Sequence, residues 1–195
     1  METCALCVRK WKFQYGMKLP GYQKHSLTKG IVLHACCERA LKGQDPFPEG
    51  WQTDPQTGES VSPGEAQIIH RLVQTAQTAG YLEPRHDSLV EQWFEIELQG
   101  FRVVGKKDHE TAVTVDDHKS AKSRRYLKSP ASLKKTLQMM VYALDLLLKS
   151  RKRGEVDPPV ITLAHNQFVL DPSDPLVKRV EAEVTPAEIE AFRSE

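Results

Sequence analysis

The order of elements in this sequence predicts an α/β sandwich, with one sheet and helices on its faces. Three observations predict it. The first eighty residues carry helical spacing of apolar side chains. The middle of the chain then switches to strand alternation, with apolar and polar residues taking turns over 90–98 (VEQWFEIEL). A long apolar helix over 131–150 separates these strands from one more apolar run at 160–170.

Residues 3–15 read as a first helix, broken at Pro20-Gly21. Residues 27–42 read as a second, with Ile31, Leu33 and Leu41 as apolar positions. The stretch 43–63 is rich in Pro, Gly, Asp and Gln and reads as a loop. Pro63 opens a third helix, whose stripe of Ile68, Ile69, Leu72 and Val73 runs on to Gly80. Residues 90–98, 101–108 and 111–119 form an antiparallel meander, the first two joined at the turn Gln99-Gly100. The helix over 131–150 has Ser132 as its cap and Leu133, Leu137, Met140, Val141, Leu144 and Leu148 on its apolar face. Pro158-Pro159 ends the following connection, 160–170 is a further strand, and Thr185-Pro186 starts a last helix. The whole reads as one domain over 1–195: a helical part (1–80), a catalytic sheet and helix (90–170) and the start of a C-terminal helix (185–195).

The bulk numbers fit a folded protein of ordinary core size: 195 residues, 39% hydrophobic and 27% charged. A formal net charge of +1 gives no mandate for nucleic acid. The charge is unevenly spread, however. Lys119, Lys122, Arg124, Arg125, Lys128, Lys134 and Lys135 crowd one stretch that could track phosphates or simply be a solvated face. No run of 18 apolar residues exists, so no membrane partner is expected. The N-terminus lacks a secretion pattern, so a cytoplasmic location with reduced thiols is expected.

The chemistry concentrates in VDDHK, residues 115–119. In a strand, Asp117 and Lys119 project to one side and Asp116 to the other. A carboxylate can hold a hard divalent cation through oxygen. A neighbouring lysine can orient or deprotonate an attacking water and offset charge in the transition state. Taken alone, D-x-K is most often a surface ion pair. Asp108 lies nine residues upstream of Asp117, near the end of the preceding strand, where a hairpin can bring the two carboxylates together. They would repel unless a cation sat between them. Gly105 leaves room there for a close backbone or phosphate approach.

Gly105-x-x-Asp108, then Asp117-x-Lys119, then Gln138-x-x-x-Tyr142 resembles the RecB-type branch of the PD-(D/E)xK nucleases. Cys7-Val8-Arg9-Lys10-Trp11-Lys12-Phe13 is similar to that family's cysteine-proline-arginine-lysine-phenylalanine helix, with Val8 in place of proline. Gly30-Ile31-Val32-Leu33-His34 is similar to its glycine-x-x-x-histidine motif. The resemblance spans roughly residues 4–142. It implies a restriction-endonuclease-like core, with a central mixed sheet (the meander plus a further strand) flanked by helices. It further implies a Mg²⁺- or Mn²⁺-dependent DNA nuclease, an exonuclease of phage or recombination type, with a helicase or recombination partner unspecified. His34, Asp108, Asp117 and the backbone carbonyl of His118 would hold the metal, and Lys119 would be the catalytic lysine. Gln138 and Tyr142, one turn apart, would position the catalytic strand and the DNA. The family often places an acidic residue on the first strand; of Glu95 and Glu97, which share a face, Glu95 is preferred.

Some relatives carry an iron–sulfur cluster on one N-terminal and three C-terminal cysteines. Here the cysteines are Cys4, Cys7, Cys36 and Cys37, and none follows. No cluster is therefore expected within these residues, although Cys7 stands where the first ligand would. At least one of Cys36 and Cys37 should point into the core. Two other readings stand beside the nuclease: a nuclease fold without activity that binds DNA or protein, and a structural zinc domain on the four cysteines. Against zinc, adjacent helical cysteines point about 100° apart and rarely both ligate.

Overall fold

The computed structural model describes residues 25–194. The helix predicted over 3–15, with Cys4, Cys7 and the Cys7–Phe13 motif, lies outside the described residues. Helix α1 (His25–Leu41) and helix α2 (Pro63–Thr78) come first. The start of α2 is written in its sequence. Ser62 accepts from the Glu65 N–H, and Glu65 accepts from the Ser62 N–H, with Pro63 in the first turn. Ala66, Ile69, Leu72, Val73 and Ala76 are its buried stripe. Gly80, at φ +74°, ends the run in a left-handed conformation that suits glycine.

Strands β1 (Leu89–Leu98) and β2 (Phe101–Glu110) form a hairpin. Its two-residue turn, Gln99-Gly100, has φ of 52° and 76°, and positive φ at both positions matches the twist of the flanking strands. Strand β3 (Thr114–Ala121) pairs antiparallel with β2 at only two positions, His109↔Asp116 and Glu110↔Val115. The two strands therefore part company just where Asp108 and Asp117 stand.

Two corrections to the sequence reading follow. The predicted helix over 131–150 is two helices: a short α3 (Pro130–Lys134) and α4 (Leu137–Lys152). Ser129 caps α3, with Ser132 reciprocating from the third helical position, and Thr136 stands at the N-cap of α4, so Ser132 caps neither. Secondly, β4 (Ile161–Val169) is followed not by a direct connection to the last helix but by another strand, β5 (Leu176–Val184). Only its second half alternates cleanly, with Val180, Ala182 and Val184 inward and Glu181 and Glu183 outward. Helix α5 (Pro186–Ser194) closes the chain, with Thr185 and Glu188 capping each other.

The sheet order is β1-β2-β3-β4-β5, with β3 and β4 parallel and the other pairs antiparallel. This is a mixed sheet flanked by helices, as expected for a restriction-endonuclease-like fold. The parallel pair needs a crossover, which α3 and α4 supply. One apolar cluster joins α4 and α5 to the sheet through Val115, Leu144, Leu147, Leu163 and Ile189. The other joins α1 and α2 through Leu33, Ile69 and Val73 to Phe168. Each such side chain contributes roughly 1.5–3 kcal/mol by leaving water. No helix among the described residues is long and apolar enough to cross a membrane.

Candidate active site

Strands β3 and β4 lie inside the sheet with helices on both faces, where near-continuous apolar sequence is the rule. Both break it. Asp116, Asp117 and His118 on β3, and His165, Asn166 and Gln167 on β4, are all buried. The parallel register sets them side by side: Asp117 against His165, His118 against Asn166, Lys119 against Gln167.

Asp108 sits where β2 leaves β3. Its Oδ2 accepts the backbone N–H of His118 at 2.6 Å, so a side chain takes the bond that a ladder partner would otherwise make. His34, on α1, brings Nδ1 to 3.6 Å from the same oxygen. Gly30, one turn earlier on α1, stands over Ser120 of β3; a Cβ there would lie 3.4 Å from its Oγ.

Asp117 is held from several directions. Lys119 places Nζ 2.7 Å from its Oδ2, and Gln138 donates to its Oδ1 at 2.9 Å. Gln138 also donates to the Tyr142 hydroxyl (2.7 Å), which in turn donates to the Lys106 carbonyl (2.8 Å). The Gln138/Tyr142 pair on α4 thus ties β3 to β2 across the gap between them. Burial and the nearby Asp117 charge raise the Tyr142 pKa, so the hydroxyl stays a donor. Lys119 is 42% exposed while Asp117 is 2% exposed, so the pair spans the boundary between interior and solvent.

Asp116 faces the other way and is fully engaged. His109 Nδ1 lies 2.7 Å from its Oδ2, and Arg179 of β5 lies 2.6 Å from its Oδ1. Burial would raise its pKa, but the His109 hydrogen bond and the Arg179 charge outweigh that and hold it low. Arg179 also donates to the Asn166 carbonyl oxygen (3.0 Å), which fixes the amide so that its NH₂ faces His118 Nδ1 at 3.3 Å. His118 therefore carries its proton on Nε2. Burial drives the His118 pKa down to about 4, against the pull of Asp108.

Next to Asp108, Lys107 turns to α4 and is 0% exposed. Its Nζ meets Asp145 at 2.5 Å and also pairs with Glu110, while Lys149 reaches Asp145 at 2.8 Å. Burial lowers the Lys107 pKa to about 8. Lys107 and Glu110 both reach this cluster, while the β1–β2 register runs unbroken from Leu98↔Phe101 to Leu89↔Glu110. Across the hairpin, the register places Glu91 opposite Asp108, and Glu91 has φ +57°, a conformation rare outside glycine.

The structure thus brings His34 to Asp108, and Lys119, Gln138 and His165 to Asp117. Among the described residues, no three His, Cys, Asp or Glu side chains are gathered into a ready-made ion cage. Asp108 is tied to a backbone N–H and Asp117 to Lys119, which keeps the two like charges in separate company. Glu95 is not brought in: it is paired with Arg102 on the exposed sheet face. The β1 carboxylate nearest the site is Glu91, which pairs with Lys106. Counting back from the Gln99-Gly100 turn would have found it, since Leu98↔Phe101 fixes the hairpin register. Nor does Gly105 leave room for a phosphate: its open side holds the Phe94 ring, which a Cβ would meet at 2.7 Å.

Cys36 and Cys37 both point into the core. Burial pushes the Cys36 thiol up to about 12 and Cys37 well above its ordinary value, which disfavours the thiolate that zinc requires. In the basic stretch, Arg124 is paired with Asp174 and Lys134 with Glu188. Among the described residues, Lys122, Arg125 and Lys128 lack a carboxylate partner, and Arg125 stacks on exposed Tyr126.

His165 gave no signal in the sequence, because a lone histidine in an apolar strand is ordinary. It is 1% exposed, with Nε2 3.6 Å from Asp117 Oδ2. Neither ring nitrogen has a hydrogen-bond partner among the described residues. Each such buried orphan costs about 1–3 kcal/mol. Burial, helped by the charges of Lys119 and Lys128, brings its pKa down to about 4.

The family model of the PD-(D/E)XK nuclease superfamily matches residues 1–194. No curated protein matches the sequence significantly. Among solved structures, a candidate exonuclease from Eubacterium rectale superposes with a TM-score of 0.58 at 16% identity, over 93% of this chain and 66% of that one. The chain thus spans just under two thirds of that protein, and the likeness extends to the fold. A second structure, SSO0001, covers 94% of this chain and 81% of its own at 13% identity, but its TM-score of 0.31 carries no weight.

Proposed function

The chain belongs to the PD-(D/E)XK nuclease superfamily, and from that premise we propose that it is a Mg²⁺- or Mn²⁺-dependent exonuclease hydrolysing the phosphodiester bonds of DNA as one catalytic domain. The observation that carries this is the Asp117–Lys119 pair: a 2% exposed carboxylate joined at 2.7 Å to a lysine at the solvent boundary, beside the gap where β2 and β3 separate.

Members of this superfamily generally use divalent metal ions, and the donors here suit one: carboxylate oxygens of Asp108 and Asp117, an imidazole nitrogen of His34 and the His118 carbonyl. When bound, the ion supplies Lewis acidity at the scissile phosphate and lowers the pKa of a water. The chain's own residues do the rest. Asp108 stays in place through the His118 N–H, and Gln138 and Tyr142 keep β3 in register with β2. Lys119 orients the attacking water and offsets charge that develops on the phosphate oxygens. Lys122, Arg125 and Lys128, on the segment that follows, hold the backbone beyond the cut.

The test is a cleavage assay on end-labelled linear and closed circular DNA, with Mg²⁺, with Mn²⁺ and with chelator. Metal-dependent loss of the end label with the circle intact is expected. Cutting of the circle would replace exonuclease by endonuclease action, and equal cleavage in chelator would overturn the metal site.

A further inference from the structure

We propose that His165 is a positioning residue of the metal site: its imidazole holds Asp117 in the orientation that binds the ion. The proposal rests on the metal-dependent reading above and extends it to a strand that reading does not use.

Three observations carry it. His165 and Asp117 are register partners on the parallel strands β3 and β4, so their side chains leave the sheet side by side. The Nε2–Oδ2 separation of 3.6 Å is too long for a hydrogen bond but within a small side-chain rotation of one. And the ring is buried with both nitrogens unpartnered among the described residues. Leucine or valine would fill this place on an interior strand without that penalty, as Leu163 and Val169 do on the same strand.

What the ring can do follows from the neighbours of Asp117. Oδ1 is held by the Gln138 amide, and Lys119 reaches Oδ2 at 2.7 Å. Lys119 is the group that must turn to the water and phosphate. When it does, the Nε2–H of His165, beside Oδ2, is placed to take over the hydrogen bond that Lys119 gives up. Hydrogen bonds of this kind are often long before the ligand arrives and tighten afterwards. Carboxylate ligands commonly depend on such outer partners, and removing one typically weakens metal binding 10- to 100-fold.

The experiment is a Mn²⁺ titration by calorimetry on the full 195-residue chain, with thermal unfolding beside it, on wild type, His165→Leu, His165→Gln and Asp117→Ala. We expect His165→Leu to weaken Mn²⁺ roughly 10- to 100-fold with no loss of thermal stability. His165→Gln, whose amide can place a donor near the same point, restores affinity. Wild-type affinity in His165→Leu overturns the proposal, as does equal weakening in both His165 variants. If His165→Leu does not fold, His165→Gln decides: retained affinity supports the role, and lost affinity in a folded protein overturns it. Equal Mn²⁺ binding by wild type and Asp117→Ala would remove the metal-site reading itself, and this proposal with it. Loss in Asp117→Ala with none in His165→Leu removes only the role of His165.

Discussion

Two charged clusters share strand β2 and helix α4, and they are built on opposite plans. Lys107, Glu110, Asp145 and Lys149 form the first: two cations and two anions, with Lys107, Glu110 and Asp145 buried. The second holds His34, Asp108, Asp117, Lys119 and His165. Its cation lies at the solvent boundary, neither ring nitrogen of His165 has a hydrogen-bond partner among the described residues, and its two carboxylates have separate partners. A charge-balanced, largely buried cluster holds its strand and helix together. The unbalanced one, at the solvent boundary, is the cluster to which the metal is assigned in the proposal above. The first cluster also serves the second. With Lys107 anchored on α4, ordinary strand alternation turns its neighbour Asp108 toward α1 and the His118 N–H.

Substitutions should separate the two plans. Lys107→Ala leaves Asp145 and Glu110 buried with Lys149 alone, and breaking a buried pair in this way costs about 3–5 kcal/mol. Urea unfolding should show that loss. A stable Lys107→Ala would mean the first cluster is not structural. Lys119→Ala should do the reverse. Its side chain packs little, so unfolding should be unchanged, while cleavage falls by the 2.7–4 kcal/mol of transition-state stabilisation typical of a positioned donor, about 10²–10³-fold. Full activity in this variant would refute the mechanism, whatever the fold.

The third effect is a pH dependence. His118 has a folded pKa of about 4 against an ordinary 6.5. A base whose folded pKa is depressed binds more protons when unfolded, so its contribution is complete above about 6.5 and is lost as pH falls toward 4. That amounts to up to about 3 kcal/mol. Thermal melts between pH 7 and 4.5 should decline, and His118→Gln should flatten part of the decline. An unchanged slope in that variant would assign the acid sensitivity to other groups.

Much of this was legible in one dimension. The Ser62–Glu65 box, the Gln99-Gly100 turn and the Thr185-Pro186 start are local devices, and each works through residues within a few positions of one another. Asp108, Asp117 and Lys119 were legible because strand alternation and motif order place them. Other parts were not. The division of the 131–150 helix depends on Ser129 and Thr136 competing with Ser132 as caps, and three hydroxyls in one stretch give no way to rank them. β5 is stabilised by nine register pairs with β4, and its first half lacks alternation of its own.

The sequence by itself determined most of the elements, the turn that sets the hairpin register and the motif residues to which phosphodiester chemistry is assigned here, because these depend on neighbours along the chain. Only the tertiary structure decided that His165 lies beside Asp117 and that Lys107 is sealed inside. Those facts come from the parallel pairing of β3 with β4 and from the early parting of β2 from β3. Both depend on a crossover helix whose apolar face says that it must pack, but not which carboxylates it will pack against.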